Sequence, residues 1–131
     1  MFSILSTSSS RELCFVERSG DDLLVEIRGQ SPIVSITVST YTDNLGLCWF
    51  FESLGDLTSP WSGEMLWTSL EGEFELKATC SAIGAVLFQV RICGSAGAPE
   101  EWRVMAGLTS EFGQLATIAK QARSFFFAEH V

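Results

Sequence analysis

Carboxylates are the most abundant reactive side chains of this sequence, and four of them cluster in one short stretch. Glu64, Glu71, Glu73 and Glu75 fall within twelve residues. In an extended strand the last three would share one face, spaced by roughly 7 Å. Such a row could bind a metal ion, perform acid–base chemistry or attract a basic protein partner. It is equally typical of the solvent face of an amphipathic strand, because Lys77 follows in the same row.

The sequence has no residue pattern typical of nucleophilic catalysis. Its single histidine, His130, is the penultimate residue and is expected to be solvent-exposed. Neither Gly-x-Ser-x-Gly nor a Gly-Lys-Ser/Thr triplet occurs, so we expect no catalytic residues and no cofactor. The cysteines lack Cys-x-x-Cys spacing and are expected to be reduced, buried side chains. They are Cys14, Cys48, Cys80 and Cys93.

Tryptophan is the other residue type with a clear functional potential. Trp102 fits the inward alternation of a strand and is predicted to lie in the core. Trp61 and Trp67 lie in a segment with no clear period. Loop tryptophans can anchor a protein interface, and they can also fix a loop to its own sheet. Both interpretations stay open from the sequence.

The overall charge restricts the class of partner. The chain has 131 residues, of which 8 are basic and 16 acidic, for a net charge of −8. A chain this acidic repels phosphate backbones and anionic lipids, so we expect no direct binding to nucleic acid or membranes. At 47% hydrophobic residues the chain can bury a core, and its length predicts a single domain, 1–131. The start resembles no signal peptide, so a cytoplasmic location is expected.

Hydrophobic periodicity predicts strands in two groups. Apolar residues alternate with polar ones over 13–17, 22–28 and 34–39, and again over 73–80, 86–92 and 102–108. Short connections between these runs are typical of antiparallel meanders. The Ser/Thr-rich segment 6–10 predicts a flexible lead-in over residues 1–10.

Two segments have the spacing of helices. Residues 44–55 predict a short helix with Asp43 as N-cap and Gly55 as its stop, and an alternating strand remains the alternative. The second helix would begin at Ser110 and carry an apolar stripe that ends at Phe126. The predicted fold is therefore α+β, with a curved antiparallel β-sheet of about six or seven strands packed by a C-terminal helix.

One motif resembles a known family. Residues 61–76 read Trp-Ser-Gly-Glu-Met-Leu-Trp-Thr-Ser-Leu-Glu-Gly-Glu-Phe-Glu-Leu. This resembles the Trp-x-Gly-x-x-x-Trp-x-Ser-Leu-Glu-Gly-x-Phe/Leu-x-Leu signature of the WapI-type immunity proteins and related uncharacterised bacterial proteins. The resemblance implies a small cytosolic protein that binds and neutralises the toxic domain of a cognate secreted toxin. It implies no catalytic residues.

The leading hypothesis is a non-catalytic, acidic immunity-type protein whose partner is a cognate bacterial toxin domain. Many toxin domains are nucleases with basic clefts, which an acidic inhibitor would bind rapidly. One alternative is an acidic mimic of nucleic acid that inhibits a host defence complex, and another is a metal-binding protein that uses clustered carboxylates. The sequence does not predict the oligomeric state. The predicted partner-binding residues are Trp61, Glu64, Trp67, Glu71, Glu73 and Glu75.

Overall fold

The chain forms eight strands and two α-helices in a computed structural model that describes residues 1–128. His130, expected to be solvent-exposed, lies outside the described residues. The strands are β1 (Phe2–Leu5), β2 (Glu12–Ser19), β3 (Asp22–Arg28), β4 (Val34–Ser39), β5 (Met65–Thr68), β6 (Phe74–Cys80), β7 (Ala85–Gly94) and β8 (Trp102–Glu111). The helices are α1 (Gly46–Gly55) and α2 (Leu115–Phe126).

The fold is α+β, as predicted, but the strands form two sheets and not one. Each sheet has four antiparallel strands, in the orders β1-β2-β3-β4 and β5-β6-β7-β8. The expectation of a single curved sheet of six or seven strands is therefore wrong. The reason is that α1 and its flanking loops occupy the chain between β4 and β5, so these two strands do not pair.

The start of the chain is a strand and not a flexible lead-in. Phe2 and Ile4 are buried, and β1 pairs with β2. The following hydroxyl-rich segment joins β1 to β8, because the Thr7 N–H donates to the Thr109 carbonyl oxygen at 3.0 Å. The Thr109 N–H in turn donates to Ser6 Oγ at 3.1 Å. Serine and threonine at this point supply hydrogen bonds between the two sheets.

The core lies between the inner faces of the sheets and is closed by the helices. Phe51 of α1 is fully buried, and its ring contacts those of Phe2, Phe15 and Phe88. Aromatic rings in tilted or edge-on contact at these distances stabilise a core beyond the area they bury. The alternation of the strands therefore directs one face inward, and α1 contributes the aromatic ring at the centre.

Helix α1 lies where it was predicted, but its ends form differently. Asp43 makes no capping hydrogen bond, and its carboxylate instead accepts one from Trp67 Nε1 at 3.2 Å. Gly55 is the last helical residue and has an ordinary backbone φ. A Cβ at position 55 would lie 2.5 Å from the Cβ of Ala119. Gly55 is thus required for the close approach of α1 to α2, and not for a left-handed stop.

The C-terminal helix is confirmed, although it begins later than predicted. Ser110 is buried and belongs to β8, where it pairs with Val86. A short 3-10 helix over Phe112–Gln114 precedes α2, which buries a stripe that runs from Leu115 to Phe126. The serine was wrongly predicted as a cap because a buried strand residue and an N-cap can have the same sequence signal. Within residues 1–128, neither helix combines the length and the apolar character needed to span a membrane.

Candidate partner-binding surface

Two of the predicted carboxylates form ion pairs on the outer face of the second sheet. Glu75 lies opposite Arg91 in the β6–β7 register, and Arg91 Nε is 3.0 Å from Glu75 Oε2. Glu64 Oε2 lies 3.3 Å from Lys77 Nζ. Each negative charge therefore faces a positive one within the protein. The outer face of β6 is consequently not the continuous acidic stripe that the alternation predicted.

The motif residues Ser69, Glu71 and Gly72 form a tight turn that leads into β6. The Gly72 N–H donates to the Ser69 carbonyl oxygen at 3.0 Å, and the Phe74 N–H donates to Ser69 Oγ at 3.1 Å. Gly72 has φ +75°, a conformation that favours glycine. Backbone geometry thus explains the Ser-Leu-Glu-Gly motif. Ser69 accepts the hydrogen bond of the first N–H of β6, and Gly72 adopts the positive φ that the turn requires.

This turn places Glu71 and Glu73 at the wall of a cleft. The cleft has a volume of about 530 Å³, and its other walls include Trp102 and the β4 residues Ser35 and Thr37. The Cys93 N–H fixes the turn by donating to the Glu73 carbonyl oxygen at 2.9 Å. The cleft therefore lies between β4, the edge strand of the first sheet, and the end of the second sheet at Gly94 and Trp102.

The two cleft carboxylates have no ion pair among residues 1–128. Glu71 is exposed. Glu73 is half-buried, and its Oε1 is buried without a hydrogen-bond partner from the described residues. A buried carboxylate oxygen without a donor is unfavourable, because desolvation is not offset by a hydrogen bond.

Trp102 belongs to the cleft and not to the core, so the sequence prediction for this residue is wrong. It pairs with Gly94 at the last position of the β7–β8 ladder and is 39% exposed. Its indole rests directly on Gly94, where a Cβ would overlap the ring. The alternation gave the correct side of the strand, but among residues 1–128 no strand or helix covers that side where the β7–β8 ladder ends. The sequence signal that could have found this residue is the glycine opposite it.

The other two predicted tryptophans lie away from the cleft. Trp67 is 9% exposed, and its Nε1–H is already donated to Asp43, so it offers little surface to a partner. Trp61 is half-buried against the core, and its Nε1 is buried without a partner among the described residues. Of the six predicted residues, the cleft thus brings together only Glu71 and Glu73.

Neither metal chemistry nor thiol chemistry gains support from the geometry. Over the described range, no three His, Cys, Asp or Glu side chains are placed to hold one metal ion. All four cysteines are free; three are buried as predicted, and Cys80 is half-exposed. Burial and the nearby Glu12 raise the pKa of the Cys14 thiol to about 12. Burial and the nearby Glu52 raise the pKa of Cys48 to about 11.

Comparison with protein families gives a match that covers the cleft and every strand from β2 to β8. Residues 5–129 match the model of a family of unknown function, DUF6228. The chain belongs to this family. No curated protein and no solved structure matches the chain. Membership in DUF6228 does not itself assign a partner.

Proposed function

We propose that this protein is a non-catalytic immunity-type protein that binds and neutralises a cognate bacterial toxin domain in the cytoplasm. The observation that carries the proposal is the cleft in which Glu71 and Glu73 have no ion-pair partner among the described residues. The resemblance of residues 61–76 to the WapI-type signature supports the same role, since that family neutralises secreted toxins.

The charges favour a basic partner. The protein has a net charge of −8, which speeds its encounter with a basic protein such as a nuclease domain. In the cleft, a lysine or arginine side chain of the partner would pair with the exposed carboxylate of Glu71 and lie beside Glu73. The half-exposed Trp102 adds apolar area at the same place. Charged groups would then set the association rate, and burial of Trp102 would slow dissociation.

The test requires the toxin domain encoded beside the gene of this protein. Co-expression should restore growth to cells that produce this domain, and the purified proteins should form a complex. A Glu71→Lys variant should slow association, most strongly at low salt where screening is weakest. Growth inhibition that co-expression does not relieve, or the absence of a complex, would overturn the proposal.

Glu111→Lys is the matched control. Glu111 is also exposed and has no ion pair among residues 1–128, and its substitution changes the net charge equally. It lies at the other end of the β7–β8 ladder from Trp102, about 30 Å away by strand length. An equal effect of both variants would show that net charge acts alone and would remove the cleft from the proposal.

A further inference from the structure

Strand β4 forms an edge of the first sheet, and its free side can be identified from its pairing. The Thr40 N–H donates to the Asp21 carbonyl oxygen at 2.6 Å, so these two residues form a hydrogen-bonded pair. Hydrogen-bonded pairs alternate along an antiparallel ladder. The backbone groups of Val34, Ile36 and Val38 therefore bind β3. The backbone groups of Ser35, Thr37 and Ser39 point away from it.

The free side of β4 lacks the features that usually protect a strand edge. Edge strands are commonly blunted by lysine, proline or a bulge. The β4 sequence, Val-Ser-Ile-Thr-Val-Ser, contains neither residue, and its register with β3 is regular. In the part of the chain that the structure describes, no backbone hydrogen bond reaches the groups of Ser35 or Thr37 from another element.

The other edges of the two sheets are partly covered. Strand β1 contacts α2, and just beyond the end of β1 the Thr7 N–H is bound to Thr109 of β8. At β8 the Gly107 carbonyl oxygen accepts a hydrogen bond from Arg11 Nη1 at 2.7 Å. Strand β5 contacts α1. The edge of β4 is thus the least covered of the four.

The cleft supplies the chemistry that selects an occupant. Ser35 and Thr37 lie along one wall, and Glu71 and Glu73 lie across from them. An extended segment that added to β4 would place alternate side chains toward these carboxylates, since strand side chains alternate between faces. Lysine or arginine at those positions would complement the charge.

We propose that the cleft binds an extended, basic segment of a partner protein, which adds to β4 as a fifth antiparallel or parallel strand of the first sheet. This proposal deepens the proposed function and rests on it for the basic character of the partner. Main-chain hydrogen bonds to Ser35 and Thr37 would provide affinity, as in other cases of strand addition. Glu71 and Glu73 would provide selectivity for positive charge.

The test uses defined peptides and no toxin. An alternating Lys-Val peptide of about ten residues, long enough to span the strand, is titrated into the labelled protein while backbone amides are followed by NMR. The amide signals of Ser35 and Thr37 should shift and become protected from hydrogen exchange. An alternating Glu-Val peptide, and a Lys-Val peptide N-methylated at every residue so that neither of its edges can pair, should not produce these changes. Equal binding of the N-methylated peptide would overturn strand addition.

Two proline variants localise the site. Thr37→Pro removes a free-edge N–H without the loss of a bond to β3, and proline is tolerated at such positions. It should weaken peptide binding about tenfold or more, because the ring also blocks the approach of a strand. Leu5→Pro is the matched control at the edge of β1, since the Ser6 N–H bond to Arg11 places the Leu5 N–H on the free side.

The outcomes distinguish this proposal from the proposed function. Loss of binding in Leu5→Pro but not in Thr37→Pro would move the site to β1 and overturn the proposal. Peptide shifts confined to other surfaces would also overturn it, even if the protein neutralises the toxin. Peptide binding at β4 without toxin neutralisation would leave strand addition standing and refute the immunity role. If Thr37→Pro fails to fold, titration of the N-methylated peptide into the unaltered protein still tests whether the peptide binds by strand addition.

Discussion

Phe51 is fully buried at the helical side of the molecule, whereas Trp102 at the cleft keeps 39% of its surface in solvent. The carboxylates of the two regions differ in whether they have an ion-pair partner. Glu52 of α1 lies 2.5 Å from Arg123 of α2, but Glu71 has no ion pair among residues 1–128. The same residue types are therefore satisfied internally at one place and left available at the other. This difference supports the proposal that the cleft is where a partner binds.

The largest effect on stability is expected from Phe51→Ala. Removal of this ring leaves a cavity against Phe2, Phe15 and Phe88, so the free energy of unfolding should fall by about 3–5 kcal/mol. Trp102→Ala, the comparison variant, should cost less than Phe51→Ala because its ring is partly solvated. Urea unfolding measures the loss of unfolding free energy in each variant. Equal losses in the two variants would break the contrast between the two regions.

Burial at the core side also predicts a loss of stability at alkaline pH. Folding raises the pKa of Cys14 to about 12 and that of Cys48 to about 11, from an ordinary value of 9.0. The stability from the neutral thiols is fully present below pH 9 and is lost as the pH rises through the folded values. Each thiol should add a slope of up to about 1.4 kcal/mol per pH unit in that window.

The double variant Cys14→Ala/Cys48→Ala isolates this contribution from other groups that titrate at high pH. Urea unfolding at several pH values from about 8 upward should give a shallower decline for the variant than for the original chain. Parallel declines would show that these thiols ionise as easily in the folded protein as in the unfolded one.

A smaller effect is expected at the crossing of the two helices. Gly55→Ala places a Cβ against Ala119, and the clash should cost about 1–2 kcal/mol despite the better helix propensity of alanine. Ala119→Gly should relieve the clash, so the double variant should show favourable coupling in thermal or urea unfolding. Additive effects of the two substitutions would mean that the helices do not depend on this contact.

The smallest effect on stability is expected at the cleft. Glu71→Gln and Glu73→Gln should change the free energy of unfolding by no more than about 0.5 kcal/mol, because neither carboxylate has an internal ion pair. The same substitutions should weaken the binding of the alternating Lys-Val peptide. A matched Glu111→Gln variant should leave both stability and peptide binding unchanged. A large stability loss in Glu73→Gln would assign this side chain to the fold and not to a partner.

The sequence predicted most of the regular elements, because their signals are local. Alternation over 22–28, 34–39 and 86–92 was confirmed as strands, as was the short helix at 44–55. The strands β1 and β5 were missed. Each has only four residues, too few to establish a period, and each exists because a longer neighbouring strand supplies its hydrogen bonds.

The sequence by itself determined most of the element types, since their signals depend on residues close together in the chain, and the strongly acidic charge, which follows from composition alone. Only the tertiary structure decided which carboxylates remain free. The pairing of Glu75 with Arg91 depends on the β6–β7 register, and the cleft beside Glu73 requires β4 from the other sheet. Electrostatic and hydrogen-bond partners are set by distance in space, and a periodic pattern along one strand carries no information about the strand that lies across from it.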